Sequence, residues 1–354
     1  MTEPVDVVVV GAGLAGACAA LVLSRTRRVV VLEADRPGAG ATGAAAGLVN
    51  PFMGRKARPS WRHGQALDAL AALADEAGGQ LLRRTGVVRP AHSPSQAEAF
   101  RAQAHADLDW LGPAASAERW PAVAAPLGAL WVRRGGSVDL TAFAQAALAT
   151  AARRGAQART ARLLGWESTP KHLIAITDRG ETATRHLVLA LGDGTRPLAA
   201  LAGLPLHRVK GQTVRLARPP TLAADHPAVA GRGYLVPSGD SVVVGATFEH
   251  SFADTRPDPA LDAGLVARAA ELVPSLAGAA VLERRAGVRV TVPAAVSPLR
   301  LPLAGPLPGH DGVWVVSGLG AKGLLTAPLI AGWLPDALDG RRALPPELWP
   351  SSLA

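Results

Sequence analysis

The sequence predicts an α/β fold in which a parallel, nucleotide-binding sheet carries a second, mainly antiparallel sheet. Three stretches support this. Residues 5–23 read VDVVVVGAGLAGACAALVL and RRVVVLEAD follows, giving strand, glycine turn, small-residue helix and second strand in succession. Residues 233–250, GYLVPSGDSVVVGATFEH, predict an antiparallel hairpin turning at Gly239-Asp240. Residues 312–334 predict a strand, GVWVVSG, running into a glycine-rich turn and a final helix.

In the first unit, Gly11, Gly13 and Gly16 stand in G-x-G-x-x-G spacing. Gly11 permits the tight turn, Gly13 lets a pyrophosphate approach the backbone, and Gly16 lets helix and strand pack closely. The helix N-terminus offers unpaired N–H groups and a positive dipole end to phosphates. Glu33, about 20 residues past the middle glycine, is placed to accept hydrogen bonds from a ribose. Together these features predict a bound dinucleotide. A membrane segment is the rival reading of Val7–Leu23, but the stretch falls short of the roughly 20 residues needed to cross a bilayer. It also holds three glycines and has no basic segment before it, so a soluble, cytoplasmic protein is expected.

The remaining elements follow in order. ADRPGAGATGAAAG (34–47) is a small-residue loop able to lie against a planar ligand, and a helix is expected from Gln65 to Ala77. Residues 87–131 are mixed and proline-broken. SVDLTAFAQAALATAARRG predicts a helix with Asp139 near its start, where a carboxylate suits the dipole. Strands are expected over Ala156–Leu164 and Leu173–Thr177, and HLVLALG returns to a core parallel strand. RVKGQTVRLAR enters the second sheet, a helix is expected over Pro259–Leu272, and AGVRVTV is a further strand. The expected division is discontinuous: residues 1–85, 135–205 and 280–345 form the nucleotide-binding domain, and 86–134 and 206–279 the substrate domain.

Composition bounds the chemistry. The 354 residues suffice for an ample core, and Cys18 is the only cysteine, so internal disulfides and C-x-x-C chemistry are excluded. The nine histidines show no H-E-x-x-H spacing, and no metal is expected. A formal charge of +9 invites a nucleic-acid reading, but no long basic run or basic–aromatic stretch accompanies it. Arg55, Lys56, Arg58, Arg62 and His63 do cluster. They form either a solvated loop or a mouth attracting an acidic or RNA-borne substrate.

Taken together, VVVVGAGLAGACAAL, Glu33, GATGAAAGLVNP, HLVLALG, VKGQ, the hairpin, AGVRVTV and GLGAKGLLTAPLIA resemble the FAD-dependent D-amino-acid oxidase superfamily, glycine and sarcosine oxidases included. GLGAKGLLTAP is similar to the flavin oxidase domain of the bifunctional enzyme that modifies the tRNA wobble uridine. The resemblance implies a Rossmann-like FAD-binding domain with a mainly antiparallel substrate domain, and noncovalent FAD, since position 321 is Ala. It implies that Gly11, Gly13, Gly16 and Glu33 hold the ADP part, that Thr42 and Gly43 lie near the pyrophosphate, and that Gly47 and Leu48 approach the isoalloxazine. Gly318, Gly320, Lys322, Gly323 and Leu324 would pass the flavin's pyrimidine side. Lys322 has two readings, a cation at the flavin or a solvated lysine at a helix start.

Arg289 is the candidate grip for a substrate carboxylate. Valines 288, 290 and 292 share one face of their strand, which turns Arg289 and Thr291 to the other. Tyr234, the only tyrosine, matches a substrate-facing position, and Phe248 either lines the same pocket or, the preferred reading, packs in the core. Valines 242–244 offer no lysine where a sarcosine oxidase places one for oxygen activation, so the electron acceptor stays open. The implied activity is oxidation of a C–N bond in a small amine or amino acid by hydride transfer to flavin N5. Two alternatives remain: oxidation of a glycine-like arm on tRNA, and a non-catalytic flavin-binding subunit.

Overall fold

The computed structural model describes residues 3–349, apart from 104 and 196. The first sheet grows from the valine-rich strand Val5–Val10, buried in its last four residues and paired in parallel with Val29–Glu33 and Gly180–Leu189. Gln157–Thr160 extends it in parallel beyond Val29–Glu33. Strand Gly180–Leu189 is long enough to serve two partners. Its first half pairs antiparallel with Leu173–Thr177, and its last residues pair in parallel with Val313–Ser317. Every residue of helix Leu14–Leu23 is buried, which accounts for its small side chains: it lies between helices Leu140–Arg153 and Gly323–Leu338 over the sheet. Asp139 caps the Leu140 helix by accepting from the Ala142 N–H at 2.9 Å.

The second sheet has eight strands in the order Val281–Thr291, His207–Ala217, Ser241–Gly245, Tyr234–Ser238, Ala228–Ala230, Val87–Pro90, Ala129–Val132, Leu108–Leu111. All pairings are antiparallel except Val87–Pro90 with Ala228–Ala230. The expected hairpin is present, with Gly239 at φ +60° in the two-residue turn.

Three expectations need correction. The strand containing AGVRVTV starts earlier, at Val281, and pairs with His207–Ala217, so it belongs to the second sheet and not to the nucleotide-binding pieces. Its leading LERR residues alternate between partial burial and exposure, which hid the strand from a search for apolar periodicity. The stretch Ala156–Leu164 is two strands, because Ala161 hydrogen-bonds Glu33 while Arg162 turns to Asp178. The helix expected from Pro259 opens with a 3₁₀ turn and becomes α-helical at Asp262. Among the described residues no helix is long and apolar enough to cross a membrane.

Candidate active site

A single cavity of about 1250 Å³ runs from the Gly11 turn to the face of the second sheet. Its inner end is built from the first unit. Gly11 holds φ +99°, and a Cβ there would meet the Ala190 carbonyl oxygen at 2.5 Å. Gly13 lies beside Thr42, whose hydroxyl accepts from the Leu14 N–H at 3.0 Å and so closes over the helix N-terminus. Glu33 accepts from the Ala12 N–H at 2.7 Å and the Asp35 N–H at 3.0 Å, which fixes its carboxylate at the edge of the cavity. A carboxylate oxygen retains a second lone pair, so each remains available to a ribose hydroxyl.

Gly16 and Gly43 do not line the cavity. A Cβ on Gly16 would collide with the Gly11 carbonyl, and one on Gly43 would crowd Gly38, so both act through close packing behind the wall. Gly47, where a Cβ would overlap the Val138 carbonyl, and Leu48 line the middle of the cavity. So do Gly318, Gly320, Lys322, Gly323 and Leu324, which bring the start of helix Gly323–Leu338 to the wall. The first N–H groups of that helix have no intrahelical partner, and they sit where an anionic cofactor edge would be stabilised.

Lys322 lines the cavity but directs its ammonium to the backbone carbonyls of Leu299 and Arg300. Partial burial, together with Arg300, pushes its pKa down. The ammonium thus donates to the 299–300 turn, and it has no carboxylate partner among the described residues.

The outer end belongs to the second sheet. Valines 288, 290 and 292 are buried as the alternation predicts, and Arg289 points into the cavity. Arg289 Nη2 donates to the Thr247 carbonyl at 2.6 Å, and the guanidinium lies 4.4 Å from the Phe248 ring centroid. Burial lowers its pKa, and Tyr234 opposes that shift. No carboxylate pairs with it among the described residues. Tyr234 lines the same wall, its ring packed where a Cβ on Gly245 would stand. Burial raises the Tyr234 phenol pKa, and the neighbouring Arg289 works against this. Phe248 is not in the core: it is 64% exposed and lines the cavity.

Several lining residues escaped the sequence reading. Gly211, in VKGQ, leaves the space that the Arg289 guanidinium occupies, and Gly245, itself off the cavity wall, does the same for Tyr234. A glycine inside an otherwise regular strand was the available signal. Arg89, His92 and Arg232 also line the cavity. The basic cluster is dispersed. Only Arg55 reaches the wall, whereas Arg62 stacks on Trp61 and Trp333 and faces Glu347 at 3.8 Å. His63 lies outside the cavity with His105 and Asp107, their ligand-type atoms within 4.8 Å of one another. The sequence spacing had pointed to no such cluster. Phe52 packs on both imidazoles, at 5.2 and 4.8 Å between ring centroids.

A dinucleotide cradle that continues into an arginine-bearing antiparallel sheet defines a flavin-dependent oxidoreductase. The glycine turn, the acid at the ribose position and the size of the cavity, about 1250 Å³, all fit FAD. The family model for FAD dependent oxidoreductases matches residues 6–337, and the chain belongs to that family. It is 30% identical to glycine oxidase of Pseudomonas aeruginosa, over 96% of each chain. It is also 30% identical to the tRNA 5-methylaminomethyl-2-thiouridine biosynthesis bifunctional protein of Thiobacillus denitrificans, covering 96% of this chain and 57% of that protein. Among solved structures, glycine oxidase from Geobacillus kaustophilus superposes with a TM-score of 0.84 at 26% identity, over 96% of both chains.

Proposed function

We propose that the protein oxidises the C–N bond of a small amino acid, of the glycine or N-substituted glycine type, held by its carboxylate at Arg289. The observation that carries this reading is a guanidinium facing the cavity with no carboxylate partner among the described residues. Its planar fork suits bidentate recognition of a carboxylate. The Thr247 carbonyl and the Phe248 ring fix the guanidinium plane, and Gly211 leaves it room. Tyr234 closes the wall beside it, with a hydroxyl able to hydrogen-bond the same carboxylate.

FAD, when bound, supplies the acceptor for a hydride equivalent from the substrate carbon next to nitrogen. The substrate is left as an imine, which water hydrolyses to a carbonyl compound and an amine or ammonia. The chain's part is to orient: Gly11, Gly13, Thr42 and Glu33 would hold the adenine-nucleotide half, and Gly47, Leu48 and the turn 318–324 the ring half. Helix Gly323–Leu338 presents its positive end to the cavity wall and would favour negative charge on a flavin bound there. No general-base histidine is required.

A second reading, oxidation of a glycine-like arm on a tRNA uridine, draws on the similarity to the bifunctional protein and on Arg55 at the mouth. Anaerobic mixing of the purified flavoprotein with glycine, sarcosine, D-amino acids and modified tRNA separates the possibilities. Flavin bleaching by the small amino acids is the expected result. Bleaching by tRNA alone would move the assignment to RNA, and bleaching by none would leave a flavin-binding subunit.

A further inference from the structure

Among the described residues, Arg289 makes one hydrogen bond to the protein, from Nη2 to the Thr247 carbonyl, and its guanidinium lies over the Phe248 ring. Both partners belong to residues 246–249, just past the end of strand Ser241–Gly245. The aim of the fork therefore depends on how this segment meets strand His207–Ala217. In the regular part of that ladder Thr213 stands opposite Gly245, and further on Lys210 stands opposite Glu249. Residues 246–248 thus face only 211 and 212. One extra residue on one strand of an antiparallel pair is a bulge, which bends the strand and redirects its groups.

Beyond the bulge the ladder resumes with one substitution. Lys210 and Glu249 exchange both backbone bonds, at 3.0 and 2.9 Å. Such pairs recur at every second residue of an antiparallel ladder, so Gln212 and Thr247 should exchange both as well. They make only one, from the Thr247 N–H to the Gln212 carbonyl at 3.1 Å. The Gln212 N–H donates instead to the Thr247 hydroxyl at 2.8 Å. The Thr247 carbonyl is left out of the ladder, and it is this carbonyl that receives Arg289 Nη2 over Gly211. The hydroxyl is itself held in place. Its hydrogen goes to Glu249 Oε1 at 2.8 Å, and Glu249 Oε2 lies 3.4 Å from the ammonium of buried Lys210. The buried side chain of Gln212 exchanges two hydrogen bonds with the Asp258 backbone, at 2.8 and 2.6 Å. None of Lys210, Gln212, Thr247 and Glu249 lines the cavity. They form a satisfied polar network behind the wall, and such networks fix a single geometry.

We infer that Thr247 is a positioning residue for the carboxylate grip: its hydroxyl, anchored by the Glu249–Lys210 pair, takes the ladder hydrogen bond of Gln212 and so releases the Thr247 carbonyl to aim the Arg289 fork. This rests on the reading of Arg289 as the group that binds the substrate carboxylate. Without the hydroxyl, the Gln212 N–H becomes a buried donor lacking a partner, which is costly. The acceptor in register with it is the Thr247 carbonyl, and a carbonyl turned toward Gln212 is drawn away from the fork.

The test sets Thr247→Val, which keeps the branched shape and loses the hydroxyl, beside Thr247→Ser, which restores it. Both are assayed as holoenzymes of equal FAD content with glycine and glycinamide, reading kcat and KM separately. If neither compound reduces the flavin, the same comparison is made on dissociation constants from perturbation of the flavin spectrum. In Thr247→Val the KM for glycine should rise about tenfold, the order expected for one charge-assisted hydrogen bond. The change should fall on KM more than on kcat, and the preference for glycine over glycinamide should drop by a similar factor. Thr247→Ser should recover most of it. In an Arg289→Ala background, Thr247→Val should cost no further discrimination, because the two act through one contact. Unchanged discrimination in Thr247→Val, an equal loss for acid and amide, or no recovery in Thr247→Ser overturns the inference. If Arg289→Ala alone abolishes the preference, the grip survives that failure. If Arg289→Ala keeps the preference, the grip and the inference fall together. Should Thr247→Val not retain FAD, Glu249→Gln decides: it keeps an acceptor for the hydroxyl and loses the ion pair, so the preference should fall by a smaller factor. An unchanged preference there also overturns the inference.

Discussion

Gly211 lies in the strand His207–Ala217, where a Cβ would run into the Arg289 guanidinium. The clash is with the end of a flexible side chain, so Gly211→Ala should fold and keep FAD while pushing the fork off the Thr247 carbonyl. The expected outcome is a KM for carboxylated substrate raised about tenfold or more, the loss of one charged hydrogen bond. An unchanged KM would mean that Arg289 tolerates displacement and is not the grip. This dependence was only half legible beforehand. Arg289 could be read from strand alternation, because the flanking valines had to go one way. Its glycine partner sits about 80 positions away in sequence, and only the pairing of Gly211 with Gly287 at the Arg289 end of the strand reveals the link. Lys322 shows the converse: its position at a helix start was readable, but the carbonyls of Leu299 and Arg300 that claim its ammonium were not.

At the scale of elements, helix His63–Gly78 carries Glu76, where it meets the ends of two further helices of the nucleotide-binding part. Arg25, just past helix Leu14–Leu23, donates to its carboxylate at 3.0 Å, and Arg154, at the end of helix Leu140–Arg153, donates at 2.7 Å. Partial burial pushes the Glu76 pKa up, but the two arginines outweigh it and the net shift is downward from 4.5. A depressed carboxylate contributes stability that is present above its unfolded pKa and is lost as pH falls through the folded value. Urea unfolding from neutral pH to about pH 3 should therefore show a steeper acid loss for wild type than for Glu76→Gln. Parallel curves would remove the ion pair from the account. The helices themselves were legible, because their apolar spacing and the Asp139 cap are local. The extent of strand Val281–Thr291 was not, because its charged first half is held by pairing with His207–Ala217 and not by burial.

On the scale of the whole molecule, one cavity joins a nucleotide cradle to a cationic sheet face. FAD held without a covalent bond should leave with the supernatant when the protein is precipitated by acid. Added FAD should raise the melting temperature of the stripped protein by mass action. Flavin that stays with the precipitate would contradict the expected linkage. The central claim is that Arg289 selects the substrate by its carboxylate. The direct measurement is kcat/KM for an amino acid against its amide, in wild type and in Arg289→Ala of equal FAD content. Wild type should favour the carboxylate, and Arg289→Ala should lose about 1.5–3 kcal/mol of that preference, with Arg289→Lys only a partial rescue. The same discrimination in Arg289→Ala would contradict the account and make Arg289 a structural residue.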